Sequence, residues 1–247
     1  MSDVQIRGGI PIAWPIAFGG PSEKEVSEDP LLAPNKAVGK TGHGFARTSL
    51  WSLLDSIDNA KSVNVTFRLD PKSFPPEFPA VDLEYSVTLD DHSLTTALKT
   101  FNSKDSATAI KFKMFYHNYL NVSHVQNARV SGLSEGAEYK DTVKGGELGK
   151  WGGGDISFAE KTGKIFTNVN APEGFTIHDG KEVIKIETDS LPDCFMWNPQ
   201  QNAGTSVWSD MEPGDGFVGV EPGYLHGYKA LAPGDHFVGR QTISVIA

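Results

Sequence analysis

The chain has 247 residues, a mass of 26.7 kDa and a formal charge of −9, so it is long enough for one large or two small domains with a substantial core. The acidic balance, with a pI near 5.2, excludes proteins that bind a nucleic-acid backbone through a basic surface. With 38% hydrophobic and 21% charged residues, the composition is typical of a folded protein rather than a disordered one.

The cysteine content and the apolar segments bear on where the chain resides. Cys194 has no second cysteine with which to form an internal disulfide, and the sequence has no Cys/His cluster of the kind that binds zinc. The first residues do not form a basic segment followed by an apolar one, and no run of eighteen apolar residues occurs. We therefore expect a soluble protein of the cytoplasm or an organelle interior, reducing in environment, neither secreted nor inserted in a membrane.

The first part of the chain gives weak signals for secondary structure. Residues 19–40 contain three prolines, four acidic residues and no helical or strand period, which predicts a long surface loop. Residues 49–54 are the best helical candidate of the chain, and they are few.

From residue 63 onward the pattern is that of strands. Val63, Val65 and Phe67 alternate with polar residues, as in a half-buried strand. Further short runs, each ended by turn residues, cover 81–89, 94–101, 110–120, 127–130, 164–167, 174–177, 183–187, 194–197, 216–220, 227–231 and 242–246. Many short strands of this kind predict an all-β sandwich or barrel.

The domain organisation follows from what the sequence does not contain. It shows no internal repeat and no change of composition, so we expect one domain over residues 1–247. The glycine-rich stretch 145–154 is too short to separate two domains and predicts a flexible loop over one end of a sheet.

Two arginines stand beside glycines, which leave room for an anion to approach both backbone and guanidinium. Arg7 precedes Gly8-Gly9, and Arg47 closes the sequence His43-Gly44-Phe45-Ala46-Arg47. Two such arginines can clamp a phosphate, but a structural salt bridge between each arginine and one of the many carboxylates is the more common case. The residues alone leave both readings open.

A histidine and a glutamate are candidates for proton transfer. His117 lies within the aromatic run Phe115-Tyr116-His117-Asn118-Tyr119, where an imidazole is either a core group or a catalytic acid. Glu221 follows an apolar strand and precedes Pro222, so its carboxylate either stabilises a turn or acts as a general base at a sheet edge. Composition does not separate these alternatives.

Six segments in this order resemble one family, the glucose-6-phosphate 1-epimerases, or hexose-6-phosphate mutarotases, of the aldose 1-epimerase superfamily. They are IRGGIPIAWP at 6–15, HGFARTSLW at 43–51, FYHNYLNV at 115–122, LPDCFMWNP at 191–199, GVEPGYL at 219–225 and LAPGDHF at 231–237. The similarity runs from residue 6 to the C-terminus. It implies an antiparallel supersandwich, the galactose mutarotase-like fold of two large sheets packed face to face.

The resemblance also implies a reaction and its residues. The family interconverts the α and β anomers of a hexose phosphate by opening and closing the sugar ring. His117 matches the catalytic acid that protonates the ring oxygen, and Glu221 matches the base that removes the anomeric proton. Arg7 and Arg47 match the arginines that bind the substrate phosphate. The chemistry needs one imidazole and one carboxylate, so we expect neither a metal nor another cofactor.

The sequence departs from the family pattern in three places. Gly42 stands where the family has a substrate-contacting glutamine, and Gly163 stands where it has an aspartate that contacts the sugar. In addition, the family usually has several strands before the RGGIP segment, whereas only Met1 to Gln5 precede Ile6 here. These differences favour an alternative: a catalytically degenerate relative that binds a carbohydrate, or a structural subunit whose open N-terminal sheet edge meets a protein partner.

Overall fold

The computed structural model describes residues 8–169, 171, 173–180, 182–199 and 216–246. Over these residues the chain is nearly all β, and its strands form two large antiparallel sheets of eight and nine strands. The all-β class predicted from short alternating runs is therefore confirmed.

The strands fall in chain order as follows, and the helices are short. The strands are β1 (Ile12–Ala13), β2 (Trp51–Asp58), β3 (Ser62–Leu69), β4 (Asp82–Asp90), β5 (Ser93–Phe101), β6 (Ile110–Tyr116), β7 (Leu120–Asn121), β8 (Arg129–Ser131), β9 (Glu138–Asp141), β10 (Glu147–Lys150), β11 (Ile156–Ser157), β12 (Thr162–Phe166), β13 (Phe175–His178), β14 (Val183–Asp189), β15 (Asp193–Asn198), β16 (Phe217–Leu231) and β17 (His236–Ile246). The α-helices are α1 (Glu23–Glu28) and α2 (Ala33–Ala37), and single 3₁₀ turns cover Pro30–Leu32, Gly39–Thr41, Ala46–Thr48 and Pro71–Ser73.

Hydrogen bonding sets the order of strands in each sheet. One sheet has the order β1-β6-β16-β15-β12-β9-β10, with β7 beside β16. The other has the order β11-β8-β13-β14-β17-β5-β4-β3-β2. By backbone contacts the chain divides into two compact units. The first contains Ile12–Phe115 and Tyr224–Gln241; the second contains Tyr116–Gly223 with the described parts of 6–11 and 242–247. The single domain over 1–247 stays a prediction.

The core of the first unit is built around an aromatic cluster. The indole of Trp14 is fully buried and meets Phe45 and Phe78 edge to face, with ring centroids 5.5 and 5.1 Å apart. Phe112 of β6 in turn meets Phe237 of β17, at 5.7 Å between centroids. Because β6 and β17 belong to different sheets, this contact joins the two layers of the first unit.

The core of the second unit follows the period of two along its strands. Cys194 and Met196 of β15 and Val218 and Val220 of β16 point into one buried cluster. Residues from the other sheet complete that cluster: Val130, Phe175, Ile177 and Ile186. The intervening residues of β15 and β16, at positions 195, 197, 219 and 221, therefore lie on the opposite face of the sheet.

The loop predicted over residues 19–40 is wrong, because short helices occupy most of it. Ser22 caps α1 through a reciprocal pair of hydrogen bonds with Glu25, and the Asp29 side chain accepts from the Leu31 backbone at the next turn. Such caps satisfy backbone N–H groups at helix starts and so stabilise a helix of one or two turns. A period cannot be read from elements this short.

The helix predicted over residues 49–54 is also wrong. Residues 51–58 form β2, which pairs along its whole length with β3 and has an irregularity between Leu53 and Asp55. That extra residue breaks the alternation of apolar and polar side chains, which concealed the strand.

Two further predictions are wrong, both in segments that contain glycine or proline. The stretch 145–154 includes a strand, β10, which pairs with β9 in a hairpin rather than forming only a loop. The runs 216–220 and 227–231 are one strand, β16, which continues through Pro222 opposite Cys194. Glu221 consequently lies within a central strand and not at the sheet edge or the turn that its sequence suggested.

Candidate active site

His117 and Glu221 come together in the second unit from distant parts of the sequence. His117 follows β6 in an irregular segment whose backbone N–H groups, at positions 117 and 119, donate to the carbonyls of Pro11 and Gly9 at 2.9 and 3.0 Å. Glu221 lies in β16, opposite Phe195 of β15. The Nδ1 atom of His117 is 3.0 Å from the Oε1 atom of Glu221.

Burial makes this imidazole and carboxylate an unusual pair. The side chain of Glu221 is completely buried, whereas that of His117 is 10% exposed. Burial raises the pKa of Glu221, and the neighbouring imidazole opposes that increase. The Oε2 atom of Glu221 is buried without a hydrogen-bond partner in the part of the chain that the structure describes. A base with a raised pKa beside a histidine is the arrangement that proton transfer near neutral pH requires.

Aromatic rings surround the imidazole of His117. Tyr119 stacks on it with centroids 4.8 Å apart and planes 5° apart, and Trp197 meets it edge to face at 5.4 Å. Phe217 in turn contacts both Tyr119 and Trp197, with centroid distances of 4.7 and 5.2 Å. These rings restrict the orientation of the imidazole.

The side chain of Asn118 links the segment that carries His117 to the strand that carries Glu221. This side chain is fully buried, and its Nδ2 group donates to the backbone carbonyl of Val220 at 2.8 Å. Asn118 and Val220 are the sequence neighbours of His117 and Glu221. This hydrogen bond therefore holds the segment that carries the imidazole against the strand that carries the carboxylate.

We expect Asn118→Ala to destabilise the chain and to lower any activity of the pair. The carbonyl of Val220 would lose its donor in a buried setting, which costs about 1–3 kcal/mol of unfolding free energy. Urea unfolding of this variant and of Asn127→Ala, which alters an exposed asparagine, gives the comparison. Equal midpoints for Asn118→Ala and the unmutated chain would contradict this role.

The described residues do not test the two predicted phosphate-binding arginines. Arg7 lies outside the described residues. Arg47 lies in the first unit, half-buried in the 3₁₀ turn Ala46–Thr48. That turn is fixed by Gly44, whose φ of +76° and close approach to the Trp14 carbonyl leave no room for a Cβ. The phosphate clamp stays a prediction.

The two glycines that replace polar residues of the family pattern differ in their surroundings. Gly42 has open space around the position of a Cβ, but its φ of +74° is unfavourable for other residues. At Gly163, the hydroxyl of Thr142 occupies the space of a side chain and donates to the Gly163 carbonyl at 2.9 Å. A carboxylate cannot occupy position 163 unless Thr142 moves.

Sequence reasoning missed three residues of this site: Asn118, Tyr119 and Trp197. Tyr119 and Trp197 stand inside the segments that carry the family resemblance, two residues after His117 and within the run LPDCFMWNP. Residues 194–197 are all apolar, so the local sequence does not indicate which face of the strand carries Trp197. The register with β16 that places it beside His117 is not in the local sequence either.

The described side chains and helices bear on metal binding and on membrane crossing. In the described ranges, no group of three or more His, Cys, Asp or Glu side chains is arranged to hold a metal ion. None of the helices seen there has the length and apolar character that crossing a membrane requires.

Comparison with known proteins identifies the family. The model of the aldose 1-epimerase family matches residues 28–244, so the chain belongs to that family. Among curated proteins it is 27% identical over 262 residues to one from Cenchrus ciliaris, covering 98% of this chain and 70% of that protein. It is 28% identical to one from Salmonella typhimurium, covering 90% of this chain and 68% of that protein. Both are named "Putative glucose-6-phosphate 1-epimerase".

Solved structures agree with this assignment at the level of fold. A "putative mutarotase" from Salmonella typhimurium superposes with a TM-score of 0.79 at 24% identity, covering 99% of this chain and 76% of that chain. A galactose mutarotase-like protein from Lactobacillus casei superposes with a TM-score of 0.65 at 14% identity, covering 96% and 85%. The predicted galactose mutarotase-like fold is confirmed, and family membership supports a sugar mutarotase activity in general.

Proposed function

We propose that this chain is a hexose-phosphate mutarotase, which interconverts the α and β anomers of glucose-6-phosphate or a related aldose phosphate. The observation that carries the proposal is the contact of 3.0 Å between the imidazole of His117 and the buried carboxylate of Glu221. Family membership supports the chemistry, and the names of the curated relatives support the phosphorylated substrate.

The pair supplies both proton transfers of ring opening. Glu221 removes the proton of the anomeric hydroxyl while His117 donates a proton to the ring oxygen, and the bond between C1 and that oxygen breaks to give the open aldehyde. Rotation about the C1–C2 bond presents the other face of the carbonyl. On reclosure the freed C5 hydroxyl returns its proton to His117 as its oxygen attacks C1, and Glu221 returns its proton to the carbonyl oxygen, so that the enzyme ends each turnover in its starting state. Each transfer contributes about 10²- to 10⁴-fold.

The ionisation of Glu221 depends both on its burial and on its contact with His117. Glu221 has to be ionised to accept a proton, and its burial opposes ionisation. A protonated imidazole at 3.0 Å stabilises the carboxylate, and it carries the proton that is donated to the ring oxygen. The raised pKa of Glu221 makes it a stronger base than an exposed carboxylate.

The phosphate is proposed to bind Arg7 and Arg47. A dianionic phosphate pairs well with the planar guanidinium group, since two parallel N–H donors match two phosphate oxygens. A net charge of −9 does not oppose this binding, because the local field at a site decides ligand affinity rather than the charge of the whole chain.

A coupled assay tests the activity directly. Freshly dissolved α-glucose-6-phosphate is mixed with the protein and with a dehydrogenase that oxidises only the β anomer, and the formation of reduced cofactor is followed. We expect a rate well above that of the uncatalysed anomerisation in the same buffer. A rate equal to the buffer blank across a range of protein concentrations would overturn the proposal.

Arg47→Ala tests the phosphate clamp. Loss of a hydrogen bond to a charged group costs about 1.5–3 kcal/mol, so kcat/KM for α-glucose-6-phosphate should fall about 10- to 100-fold. The rate with unphosphorylated α-glucose should change little, because that substrate has no phosphate to bind. Arg68→Ala is the matched control, since Arg68 pairs with Asp82 on the neighbouring strand. An equal loss with both sugars would refute the clamp.

A binding protein without turnover is the second candidate, and one observation favours it. Thr142 fills the place of the family's aspartate beside Gly163, so one expected sugar contact is missing. Isothermal titration with glucose-6-phosphate distinguishes the two: binding heat without any mutarotation favours the degenerate relative. The structural-subunit form of this alternative is tested by the mass of the protein in native extract, where a free monomer near 27 kDa would count against it.

A further inference from the structure

Gly219 lies directly beside the carboxylate of Glu221. It is two residues before Glu221 in β16, so both residues face the same side of the sheet. If a Cβ were added to Gly219, it would lie 2.8 Å from the Oε1 atom of Glu221. That atom is the one that contacts His117.

The neighbouring strand β15 also borders the space that a side chain at position 219 would occupy. Gly219 stands opposite Trp197 of β15, and an added Cβ would lie 3.2 Å from the Trp197 carbonyl oxygen and 3.3 Å from an edge carbon of its indole. These separations are shorter than ordinary contacts between carbon and these atoms, which lie near 3.5–4.0 Å. A methyl group therefore has to displace either the carboxylate or the strand pair that carries Trp197.

Backbone conformation does not explain a glycine at this position. Gly219 is absent from the glycines that adopt a positive φ, in contrast to Gly42 and Gly44. It pairs in regular register within a central strand, where glycine weakens the strand and is usually a cost. The close approach of another group is then the reason for the missing side chain.

We propose that Gly219 is a positioning residue for the reaction: the space that its missing side chain leaves lets the Glu221 carboxylate lie against the sheet, where its Oε1 atom meets His117. The inference deepens the proposed function and depends on it for its kinetic consequence. The placement of the carboxylate itself is a property of the unliganded chain, so it is testable without any substrate.

Gly219→Ala is the first test, with Gly152→Ala as its matched control. Gly152 also has no positive φ, and an added Cβ there meets nothing within 4 Å. We expect Gly219→Ala to lower kcat about 10- to 100-fold with KM changed less than about threefold, because a displacement near 1 Å in a reacting group has an effect of that size. Gly152→Ala should keep the kcat of the unmutated chain.

The second measurement follows the contact by NMR, through the nitrogen chemical shifts of the His117 ring at one fixed pH. Removing the neighbouring carboxylate in Glu221→Gln should change these shifts, because the Nδ1 atom of His117 contacts the Oε1 atom of Glu221. Gly219→Ala should change them in the same direction, and Gly152→Ala should leave them unchanged. A merely structural role of Gly219 would lower the thermal midpoint and leave the His117 ring shifts as they were.

The outcomes separate the two proposals. If the unmutated chain is inactive but Gly219→Ala changes the His117 ring shifts, the proposed function fails and the placement of the carboxylate by Gly219 holds. If the unmutated chain is active and Gly219→Ala keeps both its kcat and its His117 ring shifts, the inference about Gly219 is overturned and the proposed function stands.

Discussion

Glu221→Gln is expected to lower kcat about 10²- to 10⁴-fold for the anomerisation of α-glucose-6-phosphate. Glutamine keeps the shape of the side chain and its place opposite Phe195, but an amide does not accept the anomeric proton. The loss should fall on kcat more than on KM, because the interaction that is removed develops during proton transfer. The coupled assay described above measures both constants.

The pH dependence of kcat/KM also tests Glu221 as the base. Burial raises the pKa of Glu221, so the fraction of ionised base falls as the pH decreases through a value above the ordinary range of a glutamate. We expect kcat/KM of the unmutated chain to decrease on that acid limb. The residual activity of Glu221→Gln should lack the limb, since the group that titrates is gone.

The stability of Glu221→Gln shows whether a loss of its activity comes from the missing base or from misfolding. Because the pKa of Glu221 is raised in the folded chain, the folded state holds this proton more tightly than the unfolded state does. The contribution of Glu221 to stability is then present at low pH and is lost as the pH rises through the raised pKa. Glu221→Gln should therefore unfold no more easily than the unmutated chain at neutral pH.

A matched control completes this experiment. Glu147→Gln removes an exposed carboxylate in β10 and should keep full activity. Full activity in Glu221→Gln would show that another group is the base. A large loss of stability in that variant at neutral pH would show that the carboxylate is structural.

The fold was largely predictable because its strands carry a local pattern. Val63, Val65 and Phe67 alternate within β3, and the same period marks Leu83, Tyr85 and Val87 of β4. The short helices were not predictable, since α1 depends on a capping box between Ser22 and Glu25 rather than on a period. β2 was missed for a related reason: its irregularity after Leu53 breaks the alternation.

The sequence names His117 and Glu221 as candidates for proton transfer, and their contact at 3.0 Å agrees with that proposal without testing it. The sequence pattern predicts Glu221 before a turn at a sheet edge, and this placement is wrong. In the structure β16 continues through Pro222, and pairing with β15 buries Glu221 opposite Phe195. That register is set by contacts between residues far apart in sequence, which no local pattern contains.

Non-local contacts also explain why the sequence pattern does not identify Asn118 and Gly219 as residues of the site. Each has a role only because a particular partner lies beside it: the Val220 carbonyl for Asn118, and the Glu221 carboxylate for Gly219. Both act on the distance between imidazole and carboxylate. The pair therefore depends on its neighbours for the 3.0 Å contact on which the proposed chemistry rests.

His117→Gln is the other substitution with a large expected effect, again about 10²- to 10⁴-fold in kcat, because the amide is not an acid that can protonate the ring oxygen. The double variant with Glu221→Gln should be little slower than either single variant, since the two transfers occur in one step and groups that act as a unit have non-additive effects. His124→Gln, which alters an exposed histidine, is the control and should keep full activity. If the losses of the two single variants multiply in the double variant, the two side chains act independently, and the concerted opening of the ring by this pair is refuted.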